Sequence, residues 1–584
     1  MRSRFLHYGE ETEALMDAGH LALCSDAASY CSVAPPIFES EQPPTTTTTT
    51  IADANLDSWV GGKRFHTECG TELMKYLLAR PCGKNEISVI KTRQNIIASR
   101  DLHLHRLLKL LEEAKSLEKD ALWVLTKPDL KKTWPLPFLF PTMFGLKYLN
   151  EVPLFHEAYH FCRLIVSPAM TIFYPIGLIF GPWIYLRMKM GWNLSFKAYI
   201  MFAFNMIRAL KGTAALKIWV TLGIYAGLYF YSVAQVVDLA RMVNQARTTL
   251  ATRHKNVLRL LEISKSVESI CGGPAGMEAF GVDAAEAAAA APSANFIGVW
   301  KWWGDSAAVD QRIRTALRTI AVGDVVAAGA RLLQKRAGGG GGSGWNVVEW
   351  AASGEQWPRF YGMRHPVLGM ACVANPAALD KNIILTGPNA AGKTTYCRGL
   401  LANILLGQTL GIVCARKATM SVPFDGIISF MRINDVTGST SLFEAEVERC
   451  VEMWKVAEES QGRVFMVLDE PMHATPPTEG AAAAMAFMKG LAKMGMVRVV
   501  ATTHYAPITS LAFEEPADFI NISMEAILRR GKKIEFPYKL RSGPSFQSIA
   551  LELMQEQGAF PNAFIEDALR IKEKIGGREI VAGV

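Results

Sequence analysis

At 584 residues the chain is longer than one hydrophobic core serves, so three or more folded units are expected. Apolar residues reach 50% and charged residues only 20%, the high end for a soluble protein and a hint of a membrane part, while the net charge of +8 fits an anionic partner without requiring one. The ten cysteines, scattered from Cys24 to Cys450 with no CxxC pair and no Cys/His cluster, exclude a structural zinc and read as free thiols in a reducing compartment.

The N-terminal MRSRFLHYGEETEALM has basic residues but no continuous apolar core behind them, which argues against a cleaved signal peptide. Residues 1–55 read as poorly ordered, with a threonine run through Thr50 of linker composition. A small helical region is expected over 56–160. Within it, residues 85–119 carry Ile87, Ile90, Ile97, Leu107 and Leu111 at helical spacing, as one long amphipathic helix or two in series. Residues 161–240 read as membrane-associated. Two uncharged runs, 164–186 and 218–236, are long enough to cross a hydrocarbon core, with Arg163, Arg187 and Lys189 at the ends of the first. A shorter apolar run, 198–207, lies between them. The loop joining the two runs is basic, and basic loops prefer the cytosol. A simple hairpin would place it opposite a cytosolic C-terminal module. A re-entrant hairpin or a third pass through 195–210 would relieve that conflict, and the residues leave both open. Residues 241–337 read as helical, interrupted by a Gly/Ala-rich stretch at 272–294. Residues 338–344 form a glycine-rich linker into a module at 345–584.

That module opens with an apolar run, Ile383-Ile384-Leu385, followed by Gly387-x-x-x-x-Gly392-Lys393-Thr394. A strand, a glycine-bearing turn and a helix start in this order make a P-loop. Gly387, Pro388, Asn389, Gly392, Lys393, Thr394 and Thr395 are the nucleotide-binding candidates, for ATP. Lys393 is expected on the β/γ-phosphates and the Thr394 hydroxyl on Mg²⁺. A second apolar run, 464–468, ends in Asp469-Glu470. Asp469 is expected to hold Mg²⁺ and Glu470 to activate the attacking water. A third run, 497–501, ends in Thr502-Thr503-His504, which puts His504 beside the phosphates as a γ-phosphate sensor. Alternating apolar strands and helical stretches predict an α/β fold, a P-loop NTPase domain with a mostly parallel sheet, preceded by a largely helical region with membrane helices.

TGPNAAGKTTYCRGL resembles the nucleotide loop of the MutS family of DNA mismatch-repair ATPases. Arg364-His365-Pro366, residues 423–427, Arg432-Ile433, residues 441–446, Asp469-Glu470 and Thr503-His504-Tyr505 resemble further family motifs in order. The resemblance covers roughly 355–570 and implies an ABC-type ATPase domain ending in dimerising helices. It also implies DNA as partner, a homodimer through the ATPase domain, and Ser441 reaching the nucleotide of the partner subunit as a catalytic residue. Two departures stand out. The family's glycine-rich loop after the acidic pair is replaced by Pro471-Met472-His473-Ala474-Thr475-Pro476-Pro477-Thr478-Glu479-Gly480, and Leu442 replaces a threonine. No mismatch-reading wedge is recognisable in the N-terminal half. The composite suggests a divergent branch, viral or from a eukaryotic microbe, with its ATPase facing cytoplasm or nucleus. The expected function is a mismatch-repair type ATPase working on DNA. The alternatives are a membrane-anchored ATPase that organises or packages DNA without reading mismatches, and a scaffold that binds ATP without hydrolysing it.

Overall fold

A computed structural model describes residues 48–61, 64–126, 153–209, 212–282, 307–334, 344–352, 356–431, 442–528, 533–558 and 560–582. The fold is mixed α/β, with two sheets and many helices, and divides into two compact units. Among the described residues one takes in 117–262 and 307–314, and the other is assembled from segments of 36–116, 263–285 and 315–584. The glycines at 338–343, the motif Arg432-Ile433 and Ser441 lie outside the described residues.

The first unit is helical. Pro153–Phe161 runs through a π-turn at Cys162–Val166 into Ser167–Lys189, and Phe196–Ala209 and the start of Thr213–Ile270 follow. Pro175 and Pro182 lie inside the second of these helices. The usual relation of an apolar helix to water is absent here. Phe173, Leu178, Trp219 and Phe230 are each more than half exposed, and no residue of Ser167–Lys189 or Phe196–Ala209 is buried. Two polar contacts fix the packing of these helices: the Tyr229 hydroxyl donates to the Ile172 carbonyl at 2.8 Å, and the Trp183 indole donates to the Leu194 carbonyl at 3.0 Å.

In the second unit the strands are β1 (Asn346–Trp350), β2 (Arg359–Met363), β3 (Asn375–Ala378), β4 (Asn382–Thr386), β5 (Ile412–Val413), β6 (Lys417–Met420), β7 (Gly426–Phe430), β8 (Val464–Asp469), β9 (Val497–Thr502), β10 (Phe519–Met524) and β11 (Leu540–Ser542). A mixed sheet has the order β3-β2-β6-β1-β5, and the larger sheet has the order β11-β10-β4-β9-β8-β7. Every pairing in the larger sheet is parallel except β10 with β11. Parallel strands are covered on both faces, which explains why β4, β7 and β8 are buried at every position and read as continuous apolar runs. The helix Lys393–Leu410 is buried along nearly its whole length, with Leu400, Leu401, Ile404 and Leu405 fully enclosed.

The N-terminal segments of this unit pack onto the sheets. Thr48–Asp53 is helical, so the segment expected to be poorly ordered up to residue 55 is folded at its end. Burial there is bought by hydrogen bonding: Ser429 donates its N–H to the Thr50 hydroxyl at 3.3 Å and its own hydroxyl to Asp53 Oδ2 at 2.6 Å. The stretch 85–119 forms two helices in series, Ile87–Ala98 and Leu104–Thr126. Arg93 from the first is buried and donates to the Thr409 carbonyl at 2.9 Å, in the last turn of Lys393–Leu410. The Gly/Ala-rich stretch contributes a short helix, Gly273–Glu278, and Ala307–Gln334 supplies a long buried one.

That long helix carries Asp324, fully buried, which accepts the N–H groups of His66 and Thr67 at 2.8 Å each and the Thr67 hydroxyl at 2.9 Å. Thr67 in turn caps helix Glu68–Ala79 by accepting from Gly70 N–H at 3.0 Å. Gly70 allows the approach, since a Cβ there would lie 2.5 Å from Asp324 Oδ2. Replacing Asp324 by Ala leaves the buried Thr67 N–H and the part-buried His66 N–H without this acceptor. Urea unfolding followed by circular dichroism is expected to register a loss of roughly 3 kcal/mol.

Candidate functional site

The carboxyl ends of β4, β9 and β8 lie side by side, with Leu385 opposite Thr502 and Thr502 opposite Asp469. The loops that follow them therefore leave the sheet at one edge, where ligands bind in open parallel sheets. After β4 the chain turns through Gly387 at φ 140°, and a Cβ there would sit 2.0 Å from the Met524 carbonyl oxygen, so only glycine fits. Gly392, at φ 99°, then starts helix Lys393–Leu410.

Lys393 is 5% exposed, and its ammonium donates to the Gly387 carbonyl at 2.7 Å and lies 3.3 Å from His504 Nε2. The Thr394 hydroxyl donates to Asp469 Oδ2 at 3.1 Å, while Asp469 Oδ1 accepts from the Thr502 hydroxyl. Glu470 adopts φ 56°, a left-handed conformation of the kind that non-glycine residues hold only when their surroundings enforce it. Thr502 does so here. Its carbonyl and hydroxyl accept the Glu470 N–H at 3.2 and 3.1 Å, which turns the carboxylate toward His504 Nε2 at 2.9 Å. Asn389 Oδ1 lies 3.0 Å from the same nitrogen. Nε2 can accept from Lys393 in one tautomer or donate to Glu470 or Asn389 in the other, so His504 is a node between three candidate groups.

Pro388, Asn389, Gly392, Lys393, Thr394, Thr395, Asp469 and Glu470 all line one cavity of about 740 Å³, within the range of small-ligand sites. Gly387 and His504 border a second, of about 610 Å³, that shares Pro388 and Asn389. Residues from three separate sequence motifs are thus brought together, and Ser441 lies outside the described residues. Among the described residues no group of three or more His, Cys, Asp or Glu is arranged for an all-protein metal cage, and no disulfide joins the cysteines.

Three site residues escaped the motif reading of candidate ligands. Thr502 orients both carboxylate residues, and its signal was the polar end of an apolar strand. Tyr538 sits over Gly392, where its Cδ1 would be 3.0 Å from an added Cβ. Asn375 holds that segment in place by donating to the Tyr538 carbonyl at 2.8 Å and accepting from Leu540 N–H at 3.0 Å. A separation of 163 residues hides this pairing from any local pattern.

Residues 383–576 match the family profile MutS domain V. The chain carries a MutS-family domain. The DNA mismatch repair protein MutS of Leuconostoc mesenteroides is 28% identical to it over 225 residues, which are 37% of this chain and 26% of that protein. The protein of the same name from Listeria welshimeri is 30% identical over 223 residues, 36% of this chain and 25% of that one. Endonuclease MutS2 of Levilactobacillus brevis is 33% identical over 202 residues, 33% of this chain and 24% of that one. The chain therefore spans about a quarter of the length of the curated relatives it matches.

Within the MutS-type domain the divergent loop after Glu470 has its own support. Met472 is at φ 62°, its carbonyl accepts from the Tyr505 hydroxyl at 3.2 Å, and Ala474 N–H reaches Glu446 at 3.3 Å. Burial, with Glu446 and Glu470 nearby, pushes the Tyr505 phenol above its usual range and keeps it a donor.

His365, from the Arg-His-Pro element, packs beneath helix Lys393–Leu410 against Gly399, and its Nδ1 accepts from Val367 N–H at 3.2 Å. Burial, and then the charge of Arg398, lower its pKa from 6.5 to about 4. The folded state thus takes up this proton less readily than the unfolded chain. The contribution is present above pH 6.5 and is lost as pH falls toward 4. In His365→Asn the amide oxygen can keep the acceptor role without titrating. Thermal unfolding across this pH window is expected to show a shallower acid loss than the parent.

Proposed function

We propose that the protein binds ATP with Mg²⁺ in the cavity at the strand ends and hydrolyses it, and that the cycle drives a conformational change on DNA as in mismatch repair. The observation that carries this reading is the convergence at one sheet edge of two contacting sets, Lys393 and Glu470 each meeting His504, and Thr394 meeting Asp469. On this reading the module is an ABC-type P-loop NTPase domain. The relatives' names supply DNA and mismatch repair, and their motifs supply the homodimer in which Ser441 of each copy reaches the other's nucleotide.

The donor set suits the metal. Mg²⁺ keeps waters and substrate phosphates in its shell and takes only one or two protein oxygens, which Thr394 and Asp469 offer 3.1 Å apart. When bound, the ion neutralises phosphate charge. Lys393 exchanges its contact with the Gly387 carbonyl for the β/γ-phosphates, Gly387 to Thr395 wrap the phosphate chain, and Glu470 orients a water and accepts its proton. The water oxygen bonds to the γ-phosphorus as the bond to the β–γ bridging oxygen breaks. His504, between Lys393 and Glu470, senses the γ-phosphate.

A second reading keeps the ATPase and replaces mismatch sensing with membrane anchorage, the ATPase facing cytoplasm or nucleus. Two helices, Glu157–Lys189 and Leu216–Arg241, favour it, being long and apolar enough to cross a bilayer and not buried within the protein.

ATP turnover by the full chain in detergent, with homoduplex or mismatched DNA, separates the readings. Turnover that prefers the mismatch supports the first, and turnover indifferent to DNA supports the second. Glu470→Gln is expected to lower kcat about 100-fold or more while retaining ATP, and Lys393→Ala to weaken nucleotide binding itself. Wild-type protein that retains ATP without turnover would sink both in favour of a scaffold.

A further inference from the structure

The two chain segments that flank the apolar helices fold together in the second unit. Asp53, Thr67 and Arg93 precede the first candidate span, and their partners Ser429, Asp324 and Thr409 follow the second, with contacts of 2.6 to 2.9 Å. A unit tied together by buried polar contacts of this kind cannot be divided by hydrocarbon, where unsatisfied backbone and side-chain groups cost several kcal/mol each. The segment between Ser116 and Ile263 therefore crosses a bilayer an even number of times, or not at all. A third pass through residues 195–210 is incompatible with that parity.

Two helices have the length and apolar character of spans: Glu157–Lys189, mean hydropathy 1.8, and Leu216–Arg241, mean hydropathy 1.4. The core helix of a soluble protein passes the same test but is mostly buried, and the apolar windows of these two are 0% buried. The helix between them, Phe196–Ala209, has 14 residues. At the helical rise it is ~21 Å long, short of the ~30 Å hydrocarbon core. It bears Lys197 and Arg208 near its ends and folds back on the end of the first span. Phe196 stacks on Phe180 with ring centres 4.3 Å apart and meets Trp183 edge-on at 5.4 Å. An indole hydrogen-bonded to a loop carbonyl, beside lysine and arginine, belongs at headgroup level.

Building on the membrane-anchored reading, we propose that residues 157–241 form a two-pass hairpin in a lipid bilayer. Both flanks lie on the ATPase side, and Phe196–Ala209 lies in the headgroup interface of the opposite leaflet. The hydrogen bond from Tyr229 to the Ile172 carbonyl joins the two spans near their midpoints, where a hydroxyl in hydrocarbon needs an acceptor. Basic residues stand on both sides, Arg187 to Lys217 at the tip and Arg241 to Arg259 at and beyond the end of the second span, so the tip's charge is nearly matched and the parity of the folded unit decides the arrangement.

The test uses the full chain with an epitope tag inserted at Gly191 or appended after Val584, in sealed host-membrane vesicles of both orientations. Gly191 lies in open space at positive φ and accepts an insertion, and Gly212 gives a second tip position with the same properties. Alkaline carbonate is expected to leave the chain in the pellet. External protease is expected to remove one tag and spare the other, with the pattern reversed in inverted vesicles. Both tags cut from the same face would overturn the two-pass hairpin and leave the membrane reading standing. Release of the untagged chain by carbonate would overturn the membrane reading itself. Agreement between the Gly191 and Gly212 insertions excludes a tag that disturbs folding.

Discussion

Leu385, Thr502 and Asp469 stand abreast on three parallel strands, and the cavity at the strand ends depends on that register. Side chains alternate along a strand, so a slip of one residue between β8 and β9 would carry Asp469 to the other face of the sheet. It would also separate Thr502 from the two groups it orients. With the register in place, one hydroxyl donates to Asp469 and accepts from the Glu470 N–H, holding Glu470 in a conformation it would not choose alone. Gly387 completes the edge by letting the loop pass against the Met524 carbonyl. Each of these is a backbone-level constraint, and the reactive side chains are consequences of it.

The helix that starts at Lys393 links this edge to the rest of its unit. Its last turn is held by buried contacts from distant parts of the chain. Arg93 binds the Thr409 carbonyl, and Gln408 donates to the carbonyls of Cys82 and Phe424 at 3.1 and 2.9 Å. Close packing along the whole helix makes it stiff, so movement at its Lys393 end meets resistance at buried hydrogen bonds at the other. The helices before residue 117 thus belong to the same cooperative structure as the strands after residue 345, although the membrane-like stretch separates them in sequence.

The first unit follows the opposite rule. Along its apolar helices Phe173, Leu178, Trp219 and Phe230 face outward, whereas Trp123, Leu250 and Leu260 elsewhere in the unit are buried. The two environments explain the overall composition: 50% apolar residues is high because one part of the chain carries an apolar surface in addition to the core of the other.

Local sequence determined what depends on neighbours in the chain. The glycine turn before Lys393, the apolar strands ending in Asp469-Glu470 and in Thr502-Thr503-His504, and the uncharged lengths of 164–186 and 218–236 are all short-range patterns. They carried the MutS resemblance and the expectations of a phosphate loop and of membrane segments. Segment boundaries were less legible: the threonine run ends in a helix because Ser429 and the sheet are there to bind it. Only the tertiary structure decided that β4 lies between β9 and β10, that Asn375 steadies Tyr538, and that Asp324 holds the start of a helix more than 250 residues away. It likewise decided that both flanks of the apolar segment share one core. Propensity and periodicity extend over a few turns of chain, whereas strand order and buried polar pairing are set by which distant segments can exclude water together.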